Sequence, residues 1–331
     1  MIVISPILFF GKPEKQVRCR NARLSIGVFM LALLGGCATP QTREFMLAHS
    51  AHTRPVVELS NVPFYAQESH QCGPASLAMV LNAAGSSASP QDLTPQVYLP
   101  GREGSLQVEM LAATRRNGLI AYELPPRLQD LLAEVAAGSP VIVLQNLGLS
   151  WYPLWHYAVV VGYDLQREEV ILRSGAERRQ FLAMTTFEHT WARGGYWAML
   201  ALPPGKMPHK VDEAVYVSAA MALERAGQPK NAEAAYEAAL KRWPRNLTAR
   251  IGLGNAAYTQ GNVVSAQQAY RQASLDHPAS AIAFNNLAQT LADLGRYAEA
   301  LAAANQAVSL GGAEEEAARI TLDQVKNKIG L

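Results

Sequence analysis

Cys72 stands in the run Gln67-Glu68-Ser69-His70-Gln71-Cys72-Gly73-Pro74-Ala75-Ser76-Leu77, and His156 opens a long apolar run, Tyr157 to Tyr163. A thiol and an imidazole are the groups that nucleophilic attack on a carbonyl carbon requires: the thiolate adds and the imidazole moves the proton. Pro74 suits a first helical turn, Leu77, Val80, Leu81 and Ala84 recur at helical spacing, and Gly85 suits the position just past the end. Cys72 is therefore predicted at the N-terminal mouth of a short apolar helix, where unpaired N–H groups and the positive dipole end favour a thiolate. The plainer alternatives are a cysteine buried as a small hydrophobe, a His156 that only caps a strand under Trp155, and a Gln67 that is an ordinary polar loop residue.

The compartment bears on that choice. The first 36 residues read as a targeting segment, with a basic stretch from Lys12 to Arg23 and an apolar run from Leu24 to Leu34 that is too short for a stable bilayer span. The run ends at Leu34-Gly35-Gly36-Cys37, which resembles the bacterial lipobox, whose cysteine is lipidated and becomes the new N-terminus. An uncleaved signal anchor and an ordinary secretory peptide are the competing readings. Ala38 matches the outer-membrane sorting pattern, so a cell-envelope lipoprotein facing the periplasm is expected. The apolar stretch from Ile2 to Phe10 fits no such scheme and is left out of the fold reading.

Cys19 would leave with the signal and Cys37 would carry lipid, so Cys72 remains alone and no disulfide framework is possible. An unpaired thiol in an oxidising compartment is a liability unless shielded or used. The formal net charge of +2 includes five basic residues and one acid before Cys37, so the remainder carries −2. Nothing in it calls for nucleic acid or an anionic membrane surface. Apolar residues at 49 % and charged ones at 17 % are a globular composition. No metal-ligand spacing and no phosphate loop occurs, and no cofactor is expected.

The chain must position the pair. Residues 37–55 read as a tether and Val62-Pro63-Phe64-Tyr65 as a short strand. Ser86 to Gly104 reads as a surface loop, and Ser105 as the cap of a helix to about Gly118 with Leu106, Val108, Met110 and Leu111 inward. Leu119–Leu124 is a strand, Arg127–Ala137 an amphipathic helix, and Val141–Leu144 a buried strand. After the aromatics Trp151, Tyr152 and Trp155, which either wall a cleft or join the core, Tyr157–Tyr163 is a strand. It turns at residues 164–168 into a return strand, Glu169–Leu172. Thr185–Trp191 is one helical turn or two, and Tyr196–Leu202 a closing strand. Helices first and strands mostly second is an α+β layout.

Leu202-Pro203-Pro204-Gly205 breaks that pattern. Beyond it Gly227, Gly261 and Gly295 recur with a 34-residue period, as do Ala232, Ala266 and Ala300, Ala239, Ala273 and Ala307, Tyr236 and Tyr270, and Pro244 and Pro278. The period resembles tetratricopeptide repeats, an all-α solenoid. Three repeats fit residues 213–314, and residues 315–331 a capping helix. The departures are Ala304 in an aromatic slot and Gly312 in place of a third proline. Such solenoids present a concave groove for a protein partner.

Gln67 with Cys72-Gly73-Pro74-Ala75-Ser76-Leu77, and His156-Tyr157-Ala158-Val159-Val160-Val161-Gly162-Tyr163, resemble the C39 cysteine peptidases, the bacteriocin-processing type with a papain-like fold. The resemblance spans residues 59–203. It implies a peptidase domain over 56–204, a linker at 205–212, and a peptide or protein substrate. It also implies Cys72 as nucleophile, His156 as general base and acid, and the Gln67 amide as oxyanion donor beside the Cys72 N–H. Gln67 is one residue nearer Cys72 than the usual family interval. The family's Asp on the return strand is absent: folding the hairpin brings Ser174 close to His156, in Leu172-Arg173-Ser174-Gly175. Asp164, eight residues past His156, belongs at the far end of the strand. Ser174, Gln145 or Asn146 is left to orient the imidazole. Two other functions stay open: a scaffold that only binds peptides, and a thiol amidase or acyltransferase acting on the cell wall.

Overall fold

The computed structural model describes residues 39–48, 54–67 and 71–330. The signal segment, the lipobox with Cys37, and His70 lie outside the described residues. In order, the elements are α1 (Pro40–Ala48), β1 (Val56–Glu58), α2 (Cys72–Ala83), α3 (Pro90–Val97), β2 (Tyr98–Leu99), β3 (Gly104–Ser105), α4 (Gln107–Arg116), β4 (Ile120–Glu123), α5 (Leu128–Ala136), β5 (Val141–Asn146), β6 (Trp155–Asp164), β7 (Glu169–Ser174), β8 (Glu177–Ala183), α6 (Met184–Arg193) and β9 (Ala198–Leu202).

The main sheet is antiparallel, in the order β4-β9-β5-β6-β7-β8, with β1 added on β6. Its central strands are continuous apolar runs because both faces are covered. Val141, Val143, Ala158 and Val160 pack with α5 and α6, while Ile142, Leu144, Tyr157 and Val159 pack with α2, α3 and α4. That alternation is the period of two that a strand imposes. A register shift at Val160/Gly162 lets β6 hold β7 and β1 together. Gly162 is required there, since a Cβ would collide with the Val57 carbonyl.

Four sequence expectations are corrected. The surface loop at 86–104 contains α3, whose capping box joins Ser89 N–H to Asp92 Oδ2 (2.9 Å) and Asp92 N–H to Ser89 Oγ (3.2 Å). The start signal Ser-Pro-Gln-Asp outweighs Pro95. Ser105 lies in β3 and Leu106 caps α4, with Val108 exposed rather than inward. No strand forms at 62–65; the edge strand is β1. Residues 41–48 of the tether are helical and docked: the N–H groups of Gln41 and Thr42 donate to the two carboxylate oxygens of buried Glu188 (3.0 and 2.6 Å), and Leu128 N–H donates to Gln41 Oε1 (2.6 Å). A helix start has free N–H groups, and a buried carboxylate needs donors, so each satisfies the other. β8 escaped the sequence reading because it is an edge strand whose Glu177, Arg178 and Arg179 mask its alternation.

The helices past residue 212 are α7 (Glu213–Arg225), α8 (Pro229–Arg242), α9 (Leu247–Thr259), α10 (Val263–Asp276), α11 (Ala281–Asp293), α12 (Tyr297–Leu310) and α13 (Glu315–Lys328). Asp212, Asn246 and Ser280 cap the first helix of each pair with their side chains. Gly227, Gly261 and Gly295 make the turns at φ 77, 80 and 73°. Within α9, a Cβ on Gly252 or Gly254 would strike the rings of Tyr236 and Tyr270, which is why the helices approach so closely.

The residues from Gln41 onward form one compact unit. Tyr216, Leu223 and Tyr236 share an apolar core with the sheet. Residues 205–212 are held against α5 and the sheet: Glu134 Oε1 accepts the N–H of His209 at 2.7 Å, Lys210 Nζ meets Asp130 Oδ1 at 2.9 Å, and Asp212 N–H donates to the Tyr122 hydroxyl at 3.1 Å.

Candidate active site

Cys72 is the first residue of α2, and no side chain caps that helix. The thiol therefore meets unshared donors: its own backbone N–H, that of Gly73, and that of Tyr157 on β6. All three pull its pKa down. Burial nevertheless outweighs them and pushes the thiol above its ordinary value. Desolvation of the anion thus opposes the thiolate that the helix start favours. Gly73 is needed at this position, since a Cβ would overlap the Ser105 side chain.

His156 lies one residue from Tyr157, so the sulfur's donor and the imidazole share one turn of strand. The ring's Nε2 lies 2.9 Å from Ser174 Oγ. The β6–β7 register sets this contact, pairing Val159 with Arg173 so that Ser174 comes abreast of the strand start. With Nε2 engaged, Nδ1 is the nitrogen left for proton transfer. Burial lowers the His156 pKa, and its neutral form is favoured. No described hydrogen bond joins Cys72 to His156. Both shifts favour the uncharged forms of the two groups.

Gln145 and Asn146, the other candidates for orienting the ring, are engaged elsewhere. Gln145 Nε2 donates to Thr190 Oγ1 at 2.6 Å, and Asn146 Oδ1 accepts the N–H groups of Gly148 and Leu154, both at 2.9 Å. Asp164 sits at the far end of β6, accepting the N–H of Gln166 at 2.9 Å.

Gln67 is not free to meet an oxyanion. Its Nε2 donates to Ser76 Oγ (3.0 Å) and to the Tyr157 carbonyl (3.2 Å), and its Oε1 accepts Gly175 N–H (2.9 Å). Its backbone N–H donates to the Gly175 carbonyl at 2.9 Å. The residue thus ties together α2, the neighbour of His156 and the neighbour of Ser174. Ser76 and Gly175 were missed as parts of this network. Ser76 lies one helical turn past Cys72, which was the available signal; Gly175 gave none, because its role is played by backbone atoms.

A cavity of about 780 Å³ adjoins the start of α2. Gln71 is on its wall, with Tyr65, Pro90, Pro95 and Tyr98, and no charged side chain lines it among the described residues. Trp151, Tyr152 and Trp155 are 80, 73 and 54 % exposed, so they are not core.

The raised thiol pKa has a kinetic consequence. Only thiolate reacts with iodoacetamide, so the Cys72 alkylation rate is expected to be slow at neutral pH and to keep rising above pH 9.0, the ordinary thiol value. A rate plateau between about pH 5 and 8 in a stopped alkylation series would instead mark a preformed ion pair.

Residues 59–199 match the model of the Peptidase_C39 like family, and residues 217–266 and 265–317 each match a tetratricopeptide repeat model. Among solved structures, a C39-like peptidase from Bacillus anthracis is 21 % identical, with 45 % of this chain and 98 % of that one covered and a TM-score of 0.39. The Sgt2 TPR domain from Aspergillus fumigatus is 21 % identical, covering 37 % of this chain and 81 % of its own, with a TM-score of 0.34. The Yersinia enterocolitica type III secretion chaperone SycD, in complex with a peptide of the translocator YopD, is 19 % identical over 34 % of this chain and 92 % of its own, with a TM-score of 0.32. No curated protein matches the chain. A C39-like peptidase domain followed by tetratricopeptide repeats supports a peptidase-like or a scaffold role.

Proposed function

We propose, taking the C39-like match over residues 59–199 as premise, that the chain is a lipid-anchored cell-envelope cysteine peptidase whose repeats recruit a protein substrate or partner. The observations that support this are the backbone N–H of Tyr157, the residue after His156, on the Cys72 thiol at an uncapped helix start, and the 2.9 Å contact of His156 Nε2 with Ser174 Oγ. His156 takes the thiol proton through Nδ1 as sulfur adds to the peptide carbonyl, then returns it to the leaving amine. The N–H groups of Cys72 and Gly73 face the developing oxyanion, and Gln67 acts as a positioning residue. Water then releases the acyl group from sulfur. The cavity beside Gln71, uncharged among the described residues, suits an uncharged segment of substrate. Cys37 carries the lipid.

The test is a comparison of envelope-protein N-termini in cells making the wild-type chain and cells making Cys72→Ala. Termini present only with the wild type are expected; identical sets would exclude proteolysis. A scaffold that only binds peptides is the second reading, favoured by the raised thiol pKa and by serine where the family resemblance expects aspartate. The same thiol and imidazole would also serve a cell-wall amidase or acyltransferase, which would release muropeptide fragments rather than protein termini.

Ser174 distinguishes catalysis from scaffolding. Ser174→Ala is expected to lower kcat about tenfold with KM nearly unchanged, since the ring keeps its place but loses its orientation. Ser174→Asp sets a carboxylate beside the imidazole, so the His156 pKa rises and the acid limb of the pH–rate profile moves to higher pH. Titration of the His156 ring protons by NMR reads that shift directly.

A further inference from the structure

The segment between β5 and β6 serves no catalytic step. It reads Leu147-Gly148-Leu149-Ser150-Trp151-Tyr152-Pro153-Leu154, and from Gly138 to Tyr163 the chain holds no Asp, Glu, Lys or Arg. Leu147, Leu149, Trp151, Tyr152, Leu154 and Trp155 are 45 to 80 % exposed. Six large apolar side chains on one loop, beside the mouth of the site, form the kind of patch that marks an interaction surface.

The backbone identifies its partner. Leu149 and Tyr152 exchange N–H···O bonds of 3.0 and 3.1 Å, and Leu147 N–H donates to the Leu154 carbonyl at 2.8 Å. Asn146 Oδ1 takes the N–H groups of Gly148 and Leu154, both at 2.9 Å. Five backbone N–H groups of the loop, those of Leu147, Gly148, Leu149, Tyr152 and Leu154, are thus engaged before it meets anything, which leaves those of Ser150 and Trp151 at the tip. A peptide-binding strand would keep a row of free donors and acceptors for its ligand, and a small-molecule site would be concave. An exposed, charge-free apolar tip whose strand-like base is hydrogen-bonded and whose end carries Trp and Tyr suits the bilayer interface, where those rings sit at headgroup depth and the few open N–H groups still meet headgroups and water. The Arg193 guanidinium donates to the Asn146 carbonyl at 3.0 and 3.1 Å, putting a cation at the base of the tip.

Gln41, at the start of the compact unit, lies on the same side. β4 and β5 run in the same direction, each antiparallel to β9, with Glu123 and Ile142 both opposite Met199. The segment just past β4 and the hairpin just past β5 therefore leave the sheet at one edge. Gln41 Nε2 donates to the Pro126 carbonyl in that segment at 3.1 Å. Cys37 precedes Gln41 by four residues, a reach of at most about 14 Å.

We infer that residues 147–155 form a membrane-interface wedge that inserts Trp151, Tyr152 and Leu149 among lipid headgroups and faces the thiol cleft toward the bilayer surface. The chain-end argument rests on the lipid-anchor reading; the wedge itself does not. The experiment uses the full lipidated chain in phosphatidylcholine vesicles with bromine on the acyl carbons nearest the headgroups, which quenches tryptophan fluorescence on contact. Quenching is expected in the wild type. Leu149→Asp keeps all five tryptophans but puts a charge on the tip, and should reduce the quenched fraction at least about threefold, with unchanged near-ultraviolet circular dichroism. Equal quenching in both chains, or none in the wild type, overturns the wedge. So does protection of the tryptophans by an added apolar peptide without vesicles, which would assign the loop to substrate. Cys37→Ser tests the anchor apart: a chain without acyl mass whose tip is still quenched on added vesicles refutes the anchor and leaves the wedge standing.

Discussion

Cys72→Ala is expected to abolish hydrolysis, a fall in kcat of at least about 10³-fold, with His156→Ala costing nearly as much and the double variant little more. The non-additivity follows from the chemistry. Burial favours the protonated thiol, so the imidazole is needed to remove its proton, and neither group acts without the other. Gly73 N–H and the cavity walls survive both changes, so substrate binding should persist in Cys72→Ala and allow its capture. The measurement is single-turnover cleavage of a substrate identified from the N-terminal comparison, with iodoacetamide labelling in parallel. If His156→Ala leaves both the cleavage rate and its pH profile intact, the proton-transfer role is wrong.

Trp191→Ala carries the largest expected stability loss, about 3–5 kcal/mol. Trp191 is fully buried, its ring 5.6 Å from Phe187 in a stack and 5.1 Å from Tyr196 edge-on, and its Nε1 donates to the Trp197 carbonyl at 2.8 Å. The carbonyl also accepts Leu144 N–H at 3.2 Å, so the ring pins α6 to β5. α6 presents Thr190 to Gln145, which the β5–β6 register places opposite His156. A cavity there should therefore lower the urea midpoint at nearly constant slope and, below that midpoint, loosen the strand that carries His156. Trp191→Phe, which keeps most of the volume, is expected to recover more than half of the loss.

Much of the fold was legible because it is written locally. The helix at Cys72 has a proline in its first turn, apolar spacing along it and a glycine past its end. The repeats state one packing solution three times over. The β6–β7 hairpin arithmetic reached Ser174 because strand register converts directly into distance. Less legible were elements whose signals are polar or shared. α3 is hidden by Pro95, β8 by its charges, and α1 by a carboxylate, Glu188, that arrives from far along the chain.

The amino-acid sequence by itself determined which groups are present and on which elements they ride: a thiol at a helix start, an imidazole at a strand start, and small residues at a fixed period. Only the tertiary structure decided their states and duties. Burial pushes the thiol pKa up, the Gln67 amide is engaged in tying three elements together, and the aromatics before His156 stand in solvent instead of core. The reason is physical: element type follows from neighbours a few residues away, whereas desolvation and hydrogen-bond partners depend on atoms that distant parts of the chain bring together.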